Sequence, residues 1–206
     1  MDKRKMLLLI DCQYDFLEGG KLGVEGATQK MNDLVAHIEK NDYECAIFTC
    51  DWHPTNHCSF AENGGEWNTH CIQHTLGASI YQPLFDIVSS KIKNFKVLTK
   101  GDIPSKEEYS IMSNYLSSKE LIRFIERSNV DEIDVCGIMS SFCVLNTVKD
   151  LANEKVFAGT NSSVKEVVLA RKLNVQLDFI AEIDKHEALI DFCNKNVIKM
   201  TQNKAV

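Results

Sequence analysis

Val135-Cys136-Gly137-Ile138-Met139-Ser140-Ser141-Phe142-Cys143-Val144 reads as the end of a buried strand, a turn of small residues opened by Gly137, and a helix start carrying Cys143. Ile133 and Val135 supply the strand's apolar side. A strand that gives way to a helix within a few residues is the joint from which α/β proteins are assembled. Free backbone N–H groups and the positive end of the helix dipole gather there, where they stabilise a thiolate and a developing oxyanion. Cys143 is therefore a candidate nucleophile. Taken alone, a cysteine in this setting is more often a small buried residue.

The same alternation extends outward in both directions. Lys5–Cys12 and Tyr43–Cys50 are nearly continuous apolar runs, the mark of strands buried on both faces. Phe95–Leu98, Glu132–Gly137, Lys155–Ala158 and Val175–Ile180 complete a set of six strands. Thr28 is placed to cap a helix through about Asn41, with Met31, Leu34, Val35 and Ile38 as its apolar stripe. Further helices are predicted near 83–90, after a cap at Ser118, over Cys143–Ala152, around Val164–Leu173 and over Lys185–Lys195. Strands alternating with helices imply an α/β fold of three layers, with a six-stranded, mostly parallel sheet between two helical layers. Residues 54–82 are irregular and too long for a routine connection, and their Trp, His and Cys content predicts an ordered, functional loop. No repeat or linker interrupts the chain, so residues 1–206 read as one domain.

Composition excludes several functions. The 206 residues carry 23 basic and 29 acidic side chains, net −6, without a basic run. No nucleic-acid surface and no polybasic membrane patch is expected. The apolar run before Asp11 is five residues long, too short for an export signal or a membrane span. Eight cysteines form no C-x-x-C pair, and several sit in apolar runs. Reduced thiols in a cytoplasmic protein are the reading that follows.

In sheets of this kind, sites form beyond the carboxyl ends of the strands. The residues at those ends are Asp11, Asp51 with His53, Lys100 and Cys143. No G-x-G-x-x-G follows the first strand, which argues against dinucleotide binding. A thiol with an ordinary pKa of about 8.5 needs a nearby cation to become thiolate at neutral pH, and Lys100 can supply it. Asp11 can accept a proton and return it to a leaving amine. A second cluster, Asp51-x-His53 followed by His57 and His70, has the donor types of a divalent transition metal site for Zn, Fe or Mn. His74 and Glu62 lie nearby in sequence. A hydrogen-bonded polar loop without metal remains the other reading of that spacing.

These residues resemble the isochorismatase-like cysteine hydrolases, and among them the nicotinamidases, over nearly the whole chain. Asp11-x-Gln13-x-Asp15-Phe16 resembles the opening D-x-Q-x-D-F. Asp51-Trp52-His53-Pro54-x-x-His57-x-Ser59-Phe60 resembles D-W-H-P-x-x-H-x-S-F, and Trp67-x-x-His70-Cys71 with Thr75, Gly77 and Ala78 resembles the W-P-x-H-C segment. Lys100-Gly101, Tyr109-Ser110 and Gly137–Cys143 with Val144 and Thr147 complete the match. The resemblance implies a Rossmann-like sheet and an Asp11–Lys100–Cys143 triad. It implies an oxyanion hole from the backbone N–H groups of Met139 and Cys143, behind a cis peptide between Ile138 and Met139. It also implies a metal, zinc before iron or manganese, on Asp51, His53, His70 and His57, holding a pyridine nitrogen between Phe16 and Trp67, with Tyr109 at the substrate. The implied activity is hydrolysis of nicotinamide to nicotinate and ammonia through a thioester, in NAD salvage. Met139 and Ser141 stand where the family has Ala and Asp, Asn68 replaces a proline, and Thr160-Asn161 replaces a D-[AG] pair. These departures bear on substrate preference, so another small-amide hydrolase or a silent ligand-binding member is the rival expectation. A homo-oligomer is left open.

Overall fold

Strand β1, Lys5–Ile10, has no exposed face: every residue from Met6 to Ile10 is fully buried in the computed structural model, which describes residues 3–153 and 171–202. β1 pairs with Cys45–Asp51 (β2) on one side, Leu8 opposite Ile47, and with Glu132–Gly137 (β4) on the other, Leu8 opposite Val135. Phe95–Lys100 (β3) extends the sheet beyond β2, and Lys172–Ile180 (β5) and Lys199–Thr201 (β6) extend it beyond β4. All pairings are parallel, and the order is β3-β2-β1-β4-β5-β6. The chain therefore reverses its direction of travel across the sheet at β1, and a crevice opens beyond the carboxyl ends of β1 and β4.

Alternate residues of β1 feed two separate cores, as a period of two requires. Met6, Leu8 and Ile10 pack with Ile122, Ile125, Val148 and Leu189, which come from Tyr115–Ser128 (α3), Leu145–Ala152 (α4) and Glu187–Lys195 (α5). Leu7 and Leu9 pack with Met31, Leu34, Leu84 and Val88, from Ala27–Lys40 (α1) and Gln82–Lys91 (α2). Three layers result, α/β/α.

Local details correct the sequence reading. Helix α1 is capped by Gly26 at φ 75°, and Thr28 lies inside its first turn, its N–H donating to Glu18 at 2.8 Å. Helix α3 begins before Ser118, because the Asn114 side chain accepts from the N–H groups of both Leu116 and Ser117. The sixth described strand is Lys199–Thr201, a three-residue edge too short to leave a pattern. The strand expected at Lys155–Ala158, most of the helix expected over Val164–Leu173, and Thr160-Asn161 lie outside the described residues; Lys172 and Leu173 begin β5 instead. All eight cysteines are free thiols. No helix among the described residues is long and apolar enough to cross a membrane.

Gly137 closes β4 at φ +126°, and a Cβ there would overlap the carbonyl oxygen of Ile10. Only glycine lets the two central strands keep their spacing where the site begins. Gly137→Ala is expected to destabilise the fold by about 3 kcal/mol, through backbone strain and displaced β1. The check is a lower urea midpoint at unchanged slope.

Candidate active site

The four strand-end residues converge. Asp11 follows β1 in a left-handed conformation, φ 49°, and its N–H donates to the Thr49 carbonyl at 3.0 Å. The Thr49 hydroxyl donates to Asp11 Oδ1 at 2.7 Å. Lys100 and Asp51 are register partners at the ends of β3 and β2. The Lys100 side chain is fully buried; its Nζ lies 2.9 Å from Asp11 Oδ2 and 3.4 Å from Cys143 Sγ, and it donates to Asp51 Oδ1. One ammonium thus faces two carboxylates and a thiol.

Cys143 sits in Ser140–Val144, a π-helical turn that precedes α4, rather than at the start of a regular helix. The wide turn is closed by Val144 N–H donating to Met139 O at 3.2 Å. Ser140 N–H reaches out of the turn to Ala181 O at 3.0 Å. The Ile138–Met139 peptide is cis. Met139 N–H donates to no backbone carbonyl among the described residues.

Burial governs the electrostatics. Loss of water pushes Lys100 down, but Asp11 and Asp51 more than reverse this and hold the ammonium charged. Asp51 would be raised by burial, yet Lys100, His53 and His70 hold it well below the ordinary carboxylate range. Asp11 is raised by burial and by Asp51, against the pull of Lys100. Cys143 is raised by burial, with Lys100 opposing and Asp11 adding. Lys100 stands where a cation beside the thiol was expected, and burial outweighs its pull, so the Cys143 thiol is pushed above its ordinary pKa beside a carboxyl that burial also raises.

Beside the thiol, Asp51, His53 and His70 bring one donor atom each to within 4.8 Å of one another. His53 Nε2 and His70 Nε2 lie 3.7 and 3.8 Å from Asp51 Oδ2. Each ring donates its other N–H to a main-chain carbonyl, His53 Nδ1 to Gly101 O at 2.9 Å and His70 Nδ1 to Asn68 O at 2.7 Å. That fixes both tautomers with Nε2 inward, as metal-binding histidines require. Burial holds His70 below its ordinary pKa, which favours the neutral ring that a metal needs. His53 would be lowered by burial but is raised by Asp51 and the Gly101 carbonyl. Two imidazoles and a carboxylate aimed at one point suit a divalent metal with an open position.

His57 does not join them. Its Nδ1 is bonded to Ser59 Oγ at 2.7 Å and its Nε2 to Lys106 O at 3.0 Å, so both ring nitrogens are engaged, although its ring stacks on His53 at 4.1 Å. Glu62 instead accepts from Thr69, and His74 lies edge-on to Trp52.

A pocket of about 370 Å³, its open mouth included, leads to Cys143 and is lined by Phe16, Trp67, Tyr109, His70 and Met139. Its aromatic lining suits a flat ring compound. Trp67 Nε1 donates to the Tyr109 hydroxyl at 3.0 Å, and Phe142 packs edge-on to Trp67 at 4.9 Å. The structure thus brings the three expected aromatic residues to the lining of one pocket.

Several residues had no pocket-lining or tethering role in the sequence reading. Glu107, Leu22, Ile138 and Phe142 also line the pocket. Gln13 accepts from Asp51 N–H and donates to the Asp51 and Ala78 carbonyls, all at 2.8 Å, tying β1, β2 and the long loop together. Asp15 Oδ2 accepts from Cys71 N–H at 2.7 Å, which holds the His70 loop. Gln13 and Asp15 were visible as polar residues just past a buried strand, where a polar side chain must find a partner.

An isochorismatase domain model matches residues 5–158. The chain is 26% identical over 173 residues to the nicotinamidase of Saccharomyces cerevisiae, 69% of this chain and 79% of the relative. It is 30% identical over 152 residues to the nicotinamidase/pyrazinamidase of Mycobacterium tuberculosis, 71% and 77%. The pyrazinamidase of Pyrococcus horikoshii, solved in complex with zinc, superposes with a TM-score of 0.73 at 24% identity, covering 97% of this chain and 99% of that one.

Proposed function

Because this chain belongs to the isochorismatase domain family, we propose that it is a cysteine amidohydrolase that converts nicotinamide to nicotinate and ammonia, a step of NAD salvage. The observation that carries this reading is the buried Lys100 ammonium, in contact with Asp11 and Cys143 at the floor of an aromatic pocket. The relatives named nicotinamidase support the substrate.

In this mechanism Asp11 takes the Cys143 proton as the sulfur attacks the carboxamide carbon. Burial raises its pKa, which favours that transfer. The Met139 and Cys143 N–H groups hold the tetrahedral oxyanion. Asp11 gives the proton to the departing nitrogen, C–N cleavage leaves a thioester, and ammonia is released. Asp11 then deprotonates water, which attacks the thioester and frees nicotinate while the proton returns to sulfur. Lys100 keeps Asp11 ionised between these transfers. Phe16 and Trp67 flank the flat ring and Tyr109 orients Trp67.

Asp51, His53 and His70 would hold the metal, zinc by the chemistry of the donor set and by the zinc-bound Pyrococcus relative. A metal held there would supply Lewis acidity toward the ring nitrogen.

Ammonia release from nicotinamide, measured before and after chelation, tests the proposal. Turnover lost on chelation and recovered with zinc is expected, with His70→Ala lowering zinc content as read by elemental analysis. Turnover of another small amide with none of nicotinamide overturns the substrate; equal turnover after complete metal removal overturns the metal's role.

A further inference from the structure

We infer that Ser141 and Asp184 form a positioning pair that holds the nucleophile's π turn in its working shape. The inference rests on the reading of Cys143 as nucleophile and extends it to residues outside the pocket. The Ser141 hydroxyl donates to Asp184 Oδ2 from within the Ser140–Val144 turn, two residues before Cys143. Asp184 lies just past β5, at the entry to helix α5, where its own carbonyl accepts from Glu187 N–H at 3.2 Å. Its second oxygen, Oδ1, is buried and accepts no hydrogen bond among the described residues.

The physical need for such a pair is local. A π turn carries one residue more per loop than an α-helix and persists only where surrounding structure holds it. Relaxation to α geometry would rotate every side chain in the turn about the axis, by roughly 100° for a slip of one residue. Cys143 Sγ would then leave the 3.4 Å contact with Lys100. The main chain is already tied to the end of β5 by Ser140 N–H to Ala181 O at 3.0 Å and by Ala181 N–H to Gly137 O at 3.0 Å. Those two bonds fix the approach to the turn but not its rotation. Ser141 adds a side-chain tie one residue further on, and its partner is a carboxylate, so the bond is of the stronger, charge-assisted kind.

Neither residue reaches the pocket, so the pair acts through Cys143 and not on substrate. Loss of the tie should change the chemical step more than binding, because the aromatic wall and metal-ligand cluster remain. It should also slow capture of Cys143 by iodoacetamide, which needs the thiol and Asp11 aligned but no particular substrate.

The experiment compares Ser141→Ala, Asp184→Ala, Ser141→Asp and the exchange variant Ser141→Asp/Asp184→Ser in the full-length protein. Ser141→Ala and Asp184→Ala should lower kcat about tenfold with KM changed less than about twofold, and slow iodoacetamide capture of Cys143 in parallel. Ser141→Asp sets two carboxylates together and should lower kcat about a hundredfold. The exchange variant restores one donor and one acceptor and should regain most of that loss. Urea midpoints identify any variant that fails to fold, and the exchange variant then carries the comparison. Wild-type kcat and capture rate in both alanine variants overturns the inference, as does an exchange variant no better than Ser141→Asp alone. If Cys143→Ala keeps full turnover, the nucleophile assignment fails instead, which the capture rates distinguish because they are read on the thiol itself.

Discussion

Cys143→Ala is expected to abolish amide hydrolysis, with kcat reduced at least about 10⁴-fold while the protein stays folded. The thiol is 7% exposed and packs in the core beside Val144 and Leu145, so removal of one sulfur leaves a small void and costs about 1 kcal/mol. What disappears is the only atom placed to attack: among the described residues of the pocket lining, no serine, threonine or second cysteine stands beside Cys143. The check is ammonia release against nicotinamide for the variant and parent at matched far-UV circular dichroism. In the parent, rapid acid quench followed by peptide mass spectrometry should find an acyl group on the Cys143 peptide, and hydroxylamine should remove it. An acyl group on another residue, or undiminished turnover in the variant, would falsify the assignment.

Lys100→Met should lose both activity and stability, for one electrostatic reason. Lys100 is the cation that Asp11 and Asp51 share, and all three side chains are almost wholly buried. Methionine fills the volume but leaves two carboxylates facing each other without water. Breaking a buried ion pair from one side costs about 3–5 kcal/mol. The pH dependence follows in sign. Asp11 is already above its ordinary 3.8 with Lys100 pulling it down, so loss of the lysine raises it further in the folded state only. A carboxyl whose folded pKa exceeds its unfolded one favours the fold below the unfolded value and withdraws that support as pH rises through the folded one. The variant should therefore be least destabilised near pH 4 and progressively worse toward pH 8, as urea midpoints at both values will show. A Lys100→Met protein as stable as the parent at pH 8 would mean that the two carboxylates separate or share another cation.

Asp11 and Asp51 were legible because they stand at the ends of β1 and β2, which are almost wholly buried, where polarity demands a partner. Lys100, ending the half-exposed β3, and Cys143, in the turn after β4, were legible by their place beyond the carboxyl edge of the sheet. His70 was legible through its motif, since the loop that carries it has no periodicity of its own. His57 shows the limit of spacing. It lies four residues from His53, and its ring does stack there, but Ser59 and Lys106 capture its nitrogens by contacts that sequence distance does not reveal. The π turn was equally hidden, because Ser140–Val144 has the composition of an ordinary helix start. Its shape depends on hydrogen bonds to Ala181 and Asp184, about forty residues downstream. Ser118 and Thr28 were plausible caps with better-placed competitors: Asn114 reaches two N–H groups, and Gly26 takes the left-handed conformation that opens α1. The edge strand Lys199–Thr201 was too short to show any alternation.

The strand order carries a consequence for synthesis on the ribosome. β1 is made well before β4, and its second flank is covered only when Lys5 meets Glu132, 127 residues later. Until then Met6-Leu7-Leu8-Leu9-Ile10 presents one bare edge of main-chain donors and acceptors on an entirely apolar segment, the kind of edge that recruits strands from other chains. Closing it late is intrinsically slow, because a long loop must be brought together before β4 can dock. Growth at lower temperature, or chaperones that shield nascent chains, should therefore raise the yield of folded protein more than any change made at its finished surface.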